Sequence, residues 1–208
     1  MRFLHAWAVL SAMTVLGCAG GLMPGEIDTR PKSRLLPYVD CRPSDPSIVL
    51  FKTNRVRPGK YREVRIGAQT KRVSVWDGYR LLFTASSDQR PFANMKIEQS
   101  DPSLYAADKQ IIAEQHQSAI RDGVVPIETT ANGFPIGGVE VLVPQIGDIN
   151  AIETIFSDFD SVVVTIYFLA TRTSDPRFAG GDEHRRRRDE FVNDFTGCLK
   201  AVQNSGRL

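Results

Sequence analysis

The sequence lacks the motifs by which most catalytic and cofactor-binding sites are recognised. It contains no G-x-G-x-x-G fingerprint, no phosphate-binding loop and no Gly-x-Ser-x-Gly nucleophile turn. Its 3 cysteines and 3 histidines include no Cys-x-x-Cys, His-x-x-x-His or Glu-x-x-His pair, which are spacings at which metal ligands often recur. We therefore expect no cofactor and no metal ion, and the commonest signatures of nucleotide-binding enzymes, serine hydrolases and metalloenzymes are missing.

A strong charge of either sign is also missing. The 26 basic and 24 acidic side chains leave a formal net charge of +2. Proteins dedicated to nucleic acid usually carry a much larger basic excess, so we expect no nucleic-acid partner. With 42% hydrophobic and 24% charged residues, the composition is that of an ordinary globular protein, and 208 residues suit one domain with tails.

One apolar run, at the N-terminus, indicates export. Residues 3–16 (FLHAWAVLSAMTVL) follow the positive charge of Arg2, and this run is too short to span a hydrocarbon core of about 30 Å. Its length is that of a signal-peptide core. The sequence Val15-Leu16-Gly17-Cys18 resembles a bacterial lipobox, which implies a signal peptide over residues 1–17 and a lipid such as palmitate on Cys18. An ordinary signal peptide cut near Ala19 is the alternative.

Both alternatives place the chain outside the cytoplasm. Because Ala19 rather than Asp follows the cysteine, we expect a lipid anchor in the outer membrane, with the protein facing the periplasm. A soluble periplasmic or secreted protein is the alternative. Residues 18–46 are rich in Gly, Pro and small polar residues without any periodicity, which predicts a flexible tether before a domain over residues 47–208.

The remaining cysteines predict a single disulfide. If Cys18 carries lipid, Cys41 and Cys198 are left in an oxidising compartment, where they can pair with each other. Closing so long a loop would stabilise the protein by about 5 kcal/mol in the chain-entropy model. Because Cys198 falls on an apolar helix face, two separate buried thiols are the alternative.

Alternating and continuous apolar patterns predict a largely antiparallel sheet. Residues 61–66 alternate polar with apolar, and residues 161–171 (SVVVTIYFLAT) are almost continuously apolar and β-branched, as in a central strand covered on both faces. Asp77-Gly78 and Asn132-Gly133 predict tight turns. Further strands are predicted over residues 47–52, 72–76, 79–83, 92–98, 125–130, 138–144 and 151–156.

Two main helices are predicted, over about residues 101–122 and 184–204. The first has Asp101 as a candidate N-cap, Pro102 at the first helical position and Gly123 as its terminator. The second carries six apolar side chains at helical spacing, namely Phe191, Val192, Phe195, Cys198, Leu199 and Val202. We expect these helices to flank the sheet, which gives an α+β fold in a single domain.

The order of elements from about residue 73 to residue 203 resembles the PsbP-like and DcrB-like α/β domains, a group that includes bacterial periplasmic lipoproteins. The segments that carry the resemblance are FANMKIE, DPSLYAADKQIIAEQHQSAIRDG, SVVVTIYFLAT and EFVNDFTGCLKAV. The resemblance implies a mostly non-catalytic domain that binds a partner or supports an assembly. It does not identify a ligand.

The most unusual segment is a run of four consecutive arginines with acidic residues on both sides, Arg185, Arg186, Arg187 and Arg188. Guanidinium groups bind phosphates and carboxylates through paired hydrogen bonds, so these four are candidate contacts for an anion or a protein partner. A charged, solvated start of the second helix is the alternative.

These features predict a non-enzymatic lipoprotein of the cell envelope that binds a protein partner or supports an envelope assembly. A related possibility is an immunity or inhibitor lipoprotein directed against a toxin. A secreted hydrolase is a third class, and it would have to use His116 or His184 as its base. A deep pocket that places a carboxylate beside either histidine would favour that class.

Overall fold

The computed structural model describes residues 32–56, 61–87, 89–119, 123–145, 147–170 and 181–206. The signal peptide and Cys18 lie outside this part of the chain. The described residues form an α+β fold with a seven-stranded sheet and a separate two-stranded sheet. In chain order the elements are α1 (Leu36–Val39), β1 (Ile48–Arg55), β2 (Tyr61–Ile66), β3 (Gln69–Ser74), β4 (Asp77–Ala85), β5 (Pro91–Gln99), α2 (Tyr105–Ser118), β6 (Val124–Ala131), β7 (Phe134–Val141), β8 (Ile149–Ser157), β9 (Val162–Leu169) and α3 (Gly181–Asn204).

The large sheet has the strand order β1-β4-β5-β9-β8-β7-β6, and each neighbouring pair is antiparallel. Residues 162–169 of the apolar run form β9 in the middle of this sheet, which confirms the predicted central strand. Strand β6 lies at one edge and contains Pro126. An edge strand tolerates proline because one side of its backbone needs no partner.

The main core lies between the large sheet and α3. The predicted apolar stripe of α3 is confirmed, since Phe191, Phe195 and Leu199 are buried together with most of their neighbours on that face. The ring of Phe191 is 5.0 Å from that of Phe83 and 5.7 Å from that of Phe168, both in edge-to-face contact. The helix begins three residues earlier than the predicted position 184.

The opposite face of the sheet is partly covered by α2 and by the hairpin that β2 and β3 form. A second apolar cluster fills this side, with Val64, Val73, Tyr105, Ile112, Phe156 and Val163 at its centre. Helix α2 is shorter than the predicted span of residues 101–122, because residues 102–104 form a turn and the helix ends at Ser118. Residues 120–122 lie outside the described chain.

The two predicted turns have different outcomes. Asn132-Gly133 joins β6 to β7 with positive φ angles of 51° and 89°, which confirms a tight hairpin turn. The prediction for Asp77-Gly78 is wrong, because these residues are the first two of β4 and β3 pairs with β2 instead. A Cβ on Gly78 would lie 3.2 Å from the carbonyl oxygen of Ile97, so this glycine permits a close approach of strands.

The predicted tether does not hold for residues 32–46. Leu35, Tyr38, Val39 and Cys41 are buried in the main core, and α1 lies within this segment. A four-residue helix is too short to leave a periodic pattern, so composition alone suggested a linker. Among the described residues, no helix combines the length and the apolar character that crossing a membrane requires.

Candidate functional site

A group of cations lies on the sheet face that carries α2. Arg80 on β4 and Lys96 on β5 are directly opposite each other in the ladder, so both point to this face. Arg62 reaches the same place from β2, with its Nε 2.6 Å from Glu98. Tyr167 on β9 completes the group. We call Arg62, Arg80, Lys96 and Tyr167 the cationic face.

Glu98 is the carboxylate that binds the two arginines of the cationic face. Its carboxylate is buried and accepts hydrogen bonds of 2.6 Å from both Arg62 and Arg80. Burial alone would raise the pKa of Glu98, but the charges of Arg62, Arg80 and Lys96 outweigh it and lower the pKa to about 2. Glu98 is therefore ionised at any physiological pH, and it holds two guanidinium groups in place.

Lys96 differs from the two arginines in its partners. Its Nζ donates a hydrogen bond of 2.9 Å to Tyr167 Oη and lies 4.6 Å from the centre of the tyrosine ring. No carboxylate of the described residues forms an ion pair with it. Lys96 is only half-buried. The ammonium group thus keeps hydrogen-bonding capacity for an outside acceptor.

The cationic face borders an accessible strip of the sheet. This strip is the next row of side chains on the same face after the row of Lys96. It consists of four residues that lie opposite one another on neighbouring strands, namely Leu82, Asn94, Tyr167 and Ile152. Asn94 is exposed and the other three are half-buried. The strip therefore combines apolar surface, an amide and a phenol beside a lysine, and of these the tyrosine is a residue type enriched in protein interfaces.

His116 of α2 lies near this face, and its ring contacts a side chain of the sheet. Its Nε2 is 3.3 Å from Thr154 Oγ1 on β8. Burial lowers the pKa of His116 to about 4, and the charge of Arg62 acts in the same direction. The imidazole is therefore neutral at pH 7. Within the described chain, no carboxylate is hydrogen-bonded to it.

The arginine run does not form one exposed patch. All four guanidinium groups find carboxylates of the protein itself: Arg185 pairs with Glu140 and Asp182, Arg186 with Glu183 and Glu190, Arg187 with Asp45, and Arg188 with Glu140 and Glu153. Arg185 and Arg186 remain partly exposed. Consecutive side chains point in different directions around a helix, so the four arginines do not share one surface, and the hypothesis of a partner contact stays a prediction for the exposed ones.

Arg188 is the clearest departure from that hypothesis. It is only 2% exposed, so an outside partner cannot contact it. Its Nη1 donates to Asn150 Oδ1 at 3.0 Å and lies 3.3 Å from Glu140. The sequence did hold a signal for this burial, since residues 184, 188, 191 and 195 recur at helical spacing and share the apolar stripe.

His184 and Glu153 complete this interior polar cluster. His184 donates from Nε2 to the carbonyl oxygen of Leu169 at 3.2 Å, and burial lowers its pKa to about 4. Glu153 lies 3.7 Å from Arg188 Nε without a hydrogen bond. Burial raises the pKa of Glu153 to about 7, although Arg188 acts against it. The cluster lies inside the protein, where it has a structural role.

The structure also places the two predicted disulfide partners together. Cys41, just after α1, and Cys198 on α3 are bonded at 2.02 Å, with their Cα atoms 5.7 Å apart. A cleft of about 370 Å³ lies beside this region, between residues 43–48 and α3. Asp194 in its wall accepts hydrogen bonds from Ser44, and Arg187 pairs with Asp45.

Asp158 and Asp160 lie two residues apart in the turn between β8 and β9. Asp158 pairs with Lys109 at 2.7 Å, and Asp160 accepts hydrogen bonds from Tyr38 and Ser157. The two carboxylates therefore have different structural partners. In the part of the chain that the structure describes, no group of three or more His, Cys, Asp or Glu side chains could hold a metal ion.

Comparisons of the chain with protein-family models, with curated proteins and with solved structures each found no match. The resemblance to PsbP-like and DcrB-like domains therefore stays a prediction that rests on the order of elements and on the apolar pattern.

Proposed function

We propose that this chain is a non-enzymatic, lipid-anchored protein of the bacterial cell envelope that faces the periplasm and binds an acidic segment of a protein partner on the cationic face. The observation that carries the binding proposal is Lys96, a half-buried ammonium group beside an accessible strip of the sheet and without a carboxylate partner among the described residues.

The cellular location is supported by two independent features. The N-terminal sequence has the apolar run of a signal peptide followed by the lipobox-like Cys18. Cys41 and Cys198 form a disulfide, a bond that persists mainly in oxidising compartments such as the periplasm. Ala19 after Cys18 favours the outer membrane.

The type of partner follows from the charges on the cationic face. Arg62 and Arg80 share the single carboxylate of Glu98, and Lys96 adds a third positive charge. A carboxylate of a partner can reach Lys96 and the Tyr167 hydroxyl together, because these groups are 2.9 Å apart. Apolar side chains of the same segment would pack on Leu82 and Ile152.

The histidines favour binding over hydrolysis. A general base works best when its pKa is near the working pH. The pKa values of His116 and His184 are lowered to about 4 by burial, and each imidazole is hydrogen-bonded to a structural group.

Anchoring is tested by growing cells with labelled palmitate. We expect the label on the chain and its loss in Cys18→Ala, while Cys41→Ala with Cys198→Ala should keep it. An unlabelled product that retains residues 1–17 would contradict the proposed anchor.

Partner binding is tested by a photo-crosslinking amino acid at Asn94, the exposed position of the strip, in intact cells. We expect one main adduct whose crosslinked peptide is rich in Asp and Glu. Lys96→Gln should lower its yield about tenfold or more, since a hydrogen bond to a charged group contributes about 1.5–3 kcal/mol.

Lys200→Gln is the matched control, because Lys200 is an exposed lysine on α3, on the other side of the sheet. It should leave the adduct unchanged. An adduct that is equally strong in both variants, or a crosslinked peptide without acidic residues, would overturn the proposed role of the cationic face. Circular dichroism of both variants checks that they fold.

A further inference from the structure

Five large apolar side chains of the described residues are exposed on connections between elements, and besides Leu142 and Val143 after β7 they come from the connections before β4, α2 and β9. Trp76 before β4 is 52% exposed, Leu104 at the start of α2 is 49% exposed and Phe159 in the turn between β8 and β9 is 76% exposed. Exposed apolar groups that cluster usually mark an interaction site, whereas isolated ones need no explanation. Their positions relative to one another therefore decide their meaning.

Backbone contacts place these three residues at one end of the sheet. The Trp76 nitrogen donates to the carbonyl oxygen of Gln99, and the Gln99 side chain donates to the carbonyl oxygen of Asp160, next to Phe159. Leu104 follows Gln99 by five residues, and Lys109 of the same helix pairs with Asp158. We call Trp76, Leu104 and Phe159 the apolar end.

The described chain also begins at this end. Ser33 is hydrogen-bonded to Asp77, the residue after Trp76, and Tyr38 is hydrogen-bonded to Asp160, the residue after Phe159. Only 13 residues separate Cys18 from Lys32, so even a fully extended chain places the anchor within about 50 Å of Lys32. The segment that would carry the lipid therefore joins the described chain at the apolar end.

Two of the four carboxylates at this end are paired with cations, Asp77 with Arg55 and Asp158 with Lys109. Asp101 and Asp160 accept hydrogen bonds from neutral groups and keep their charge. Lys32 and Arg34 are exposed cations at the start of the described chain. Tryptophan, leucine and phenylalanine next to basic residues suit the boundary between lipid headgroups and acyl chains.

We propose that the apolar end rests in the surface of the membrane that holds the lipid anchor, with Trp76, Leu104 and Phe159 inserted at the headgroup boundary. This inference rests on the proposed function, since it requires lipid on Cys18. It fixes the orientation of the domain: the apolar end faces the bilayer, and the opposite end of the sheet, with Val143, faces the periplasm.

The test uses the single tryptophan of the mature chain. The sequence has 2 tryptophans, and Trp7 lies within the predicted signal peptide, so Trp76 is the one that remains after cleavage. The acylated protein is reconstituted into vesicles of phosphatidylethanolamine and phosphatidylglycerol whose acyl chains are plain or brominated. We expect the emission of Trp76 to lie at shorter wavelength than in detergent-free buffer and to be quenched by brominated lipid.

Variants distinguish insertion from mere proximity. Leu104→Asp with Phe159→Asp should strongly reduce the quenching. Val143→Asp, an exposed apolar position at the opposite end, should leave it unchanged. Equal emission in plain and brominated vesicles would overturn the inference.

Intact mass spectrometry separates the two possible failures. A protein that carries lipid on Cys18 but shows no quenching keeps the proposed anchor and loses the membrane-resting orientation. A mature protein without lipid on Cys18 overturns the anchor itself, and with it the inference.

Discussion

Among single residues, Arg188 shows how differently neighbouring arginines can be used. It is buried beside Phe168, Asn150 and two glutamates. Arg186, two residues earlier, is half exposed and, among the described residues, pairs with two glutamates of its own helix. A buried cation must be paired, because removing it from water costs several kcal/mol. Arg188 is therefore a core residue whose charge is balanced by the buried glutamates beside it.

We predict that Arg188→Ala lowers the free energy of unfolding by about 3–5 kcal/mol, since it leaves buried carboxylates without their counter-charge. Arg186→Ala should leave it almost unchanged, because exposed ion pairs contribute little to stability. Denaturant titration at neutral pH measures both. Equal losses in the two variants would contradict the burial of Arg188.

Glu153 gives a pH dependence with a definite sign. Its pKa is raised from 4.5 to about 7, so between these values the folded protein binds more protons than the unfolded chain. The stabilisation from the neutral carboxyl is complete below pH 4.5 and is lost as the pH rises through 7. Its full size is about 3 kcal/mol.

Glu153→Gln should therefore gain stability relative to the natural protein as the pH rises from 4.5 to 8, because glutamine stays neutral. Unfolding curves at several pH values test this, and the histidines are common to both proteins. Glu128→Gln, an exposed position on β6, is the control. A difference between Glu153→Gln and the natural protein that does not vary with pH would refute the raised pKa.

At the scale of elements, β7 contains two adjacent glycines with opposite constraints. A Cβ on Gly138 would overlap the carbonyl oxygen of Ile152 on β8 and lie 3.1 Å from the Cα of Glu153. A Cβ on Gly137 would meet its nearest atoms, on His116 and Phe156, at 3.9 Å. Gly138 is required because β7 and β8 lie so close together at this position, whereas Gly137 is not required by any close contact.

We predict that Gly138→Ala destabilises the protein by about 1–3 kcal/mol or more, because the backbone must move. Gly137→Ala should be neutral or stabilise by about 0.4–1 kcal/mol, since it restricts the unfolded chain. Thermal unfolding of the two variants side by side gives the answer. A stable Gly138→Ala would mean that β7 and β8 are not as close as described.

Elements with strong local signals were predictable, and those set by packing were not. The stripe of α3 and the Asn132-Gly133 turn follow from spacing and backbone preference alone. Asp77-Gly78 has the same local pattern as a turn. In the structure, however, Asp77 pairs with Arg55, and Gly78 allows the backbone of β5 to lie close to β4. Such a use depends on residues far along the chain.

The cationic face was missed for the same reason. Arg62, Arg80, Lys96 and Tyr167 come from four strands of two sheets, and Lys96 is 71 positions from its hydrogen-bond partner Tyr167. The alternation of β2 predicts which side Arg62 points to, but it does not reveal what lies there. The arginine run, by contrast, is evident from the sequence, but its side chains form ion pairs with carboxylates of the protein itself.

At the scale of the whole molecule, the disulfide joins the first described segment to the last helix. Cys41 and Cys198 are 157 positions apart and enclose all the strands. In the chain-entropy model a loop of this length stabilises the fold by about 5 kcal/mol. The apolar residues Leu35, Tyr38, Val39 and Cys41 then stay in the core although α1 is only one turn long.

We predict that Cys41→Ala with Cys198→Ala lowers the free energy of unfolding by up to about 5 kcal/mol. Denaturant titration of the natural protein with reductant should approach the curve of the double variant. If neither the reductant nor the double substitution changes the unfolding curve, the disulfide adds no stability.

The position of that bridge also decides how the domain responds to pulling. Tension applied between the two ends of the described chain would enter at residue 32 and cross at Cys41 directly into α3, so the disulfide would carry it past the strands. Only the short stretches outside the two cysteines could then lengthen. A domain pulled from both ends would in this way keep its sheet intact for as long as the bridge holds.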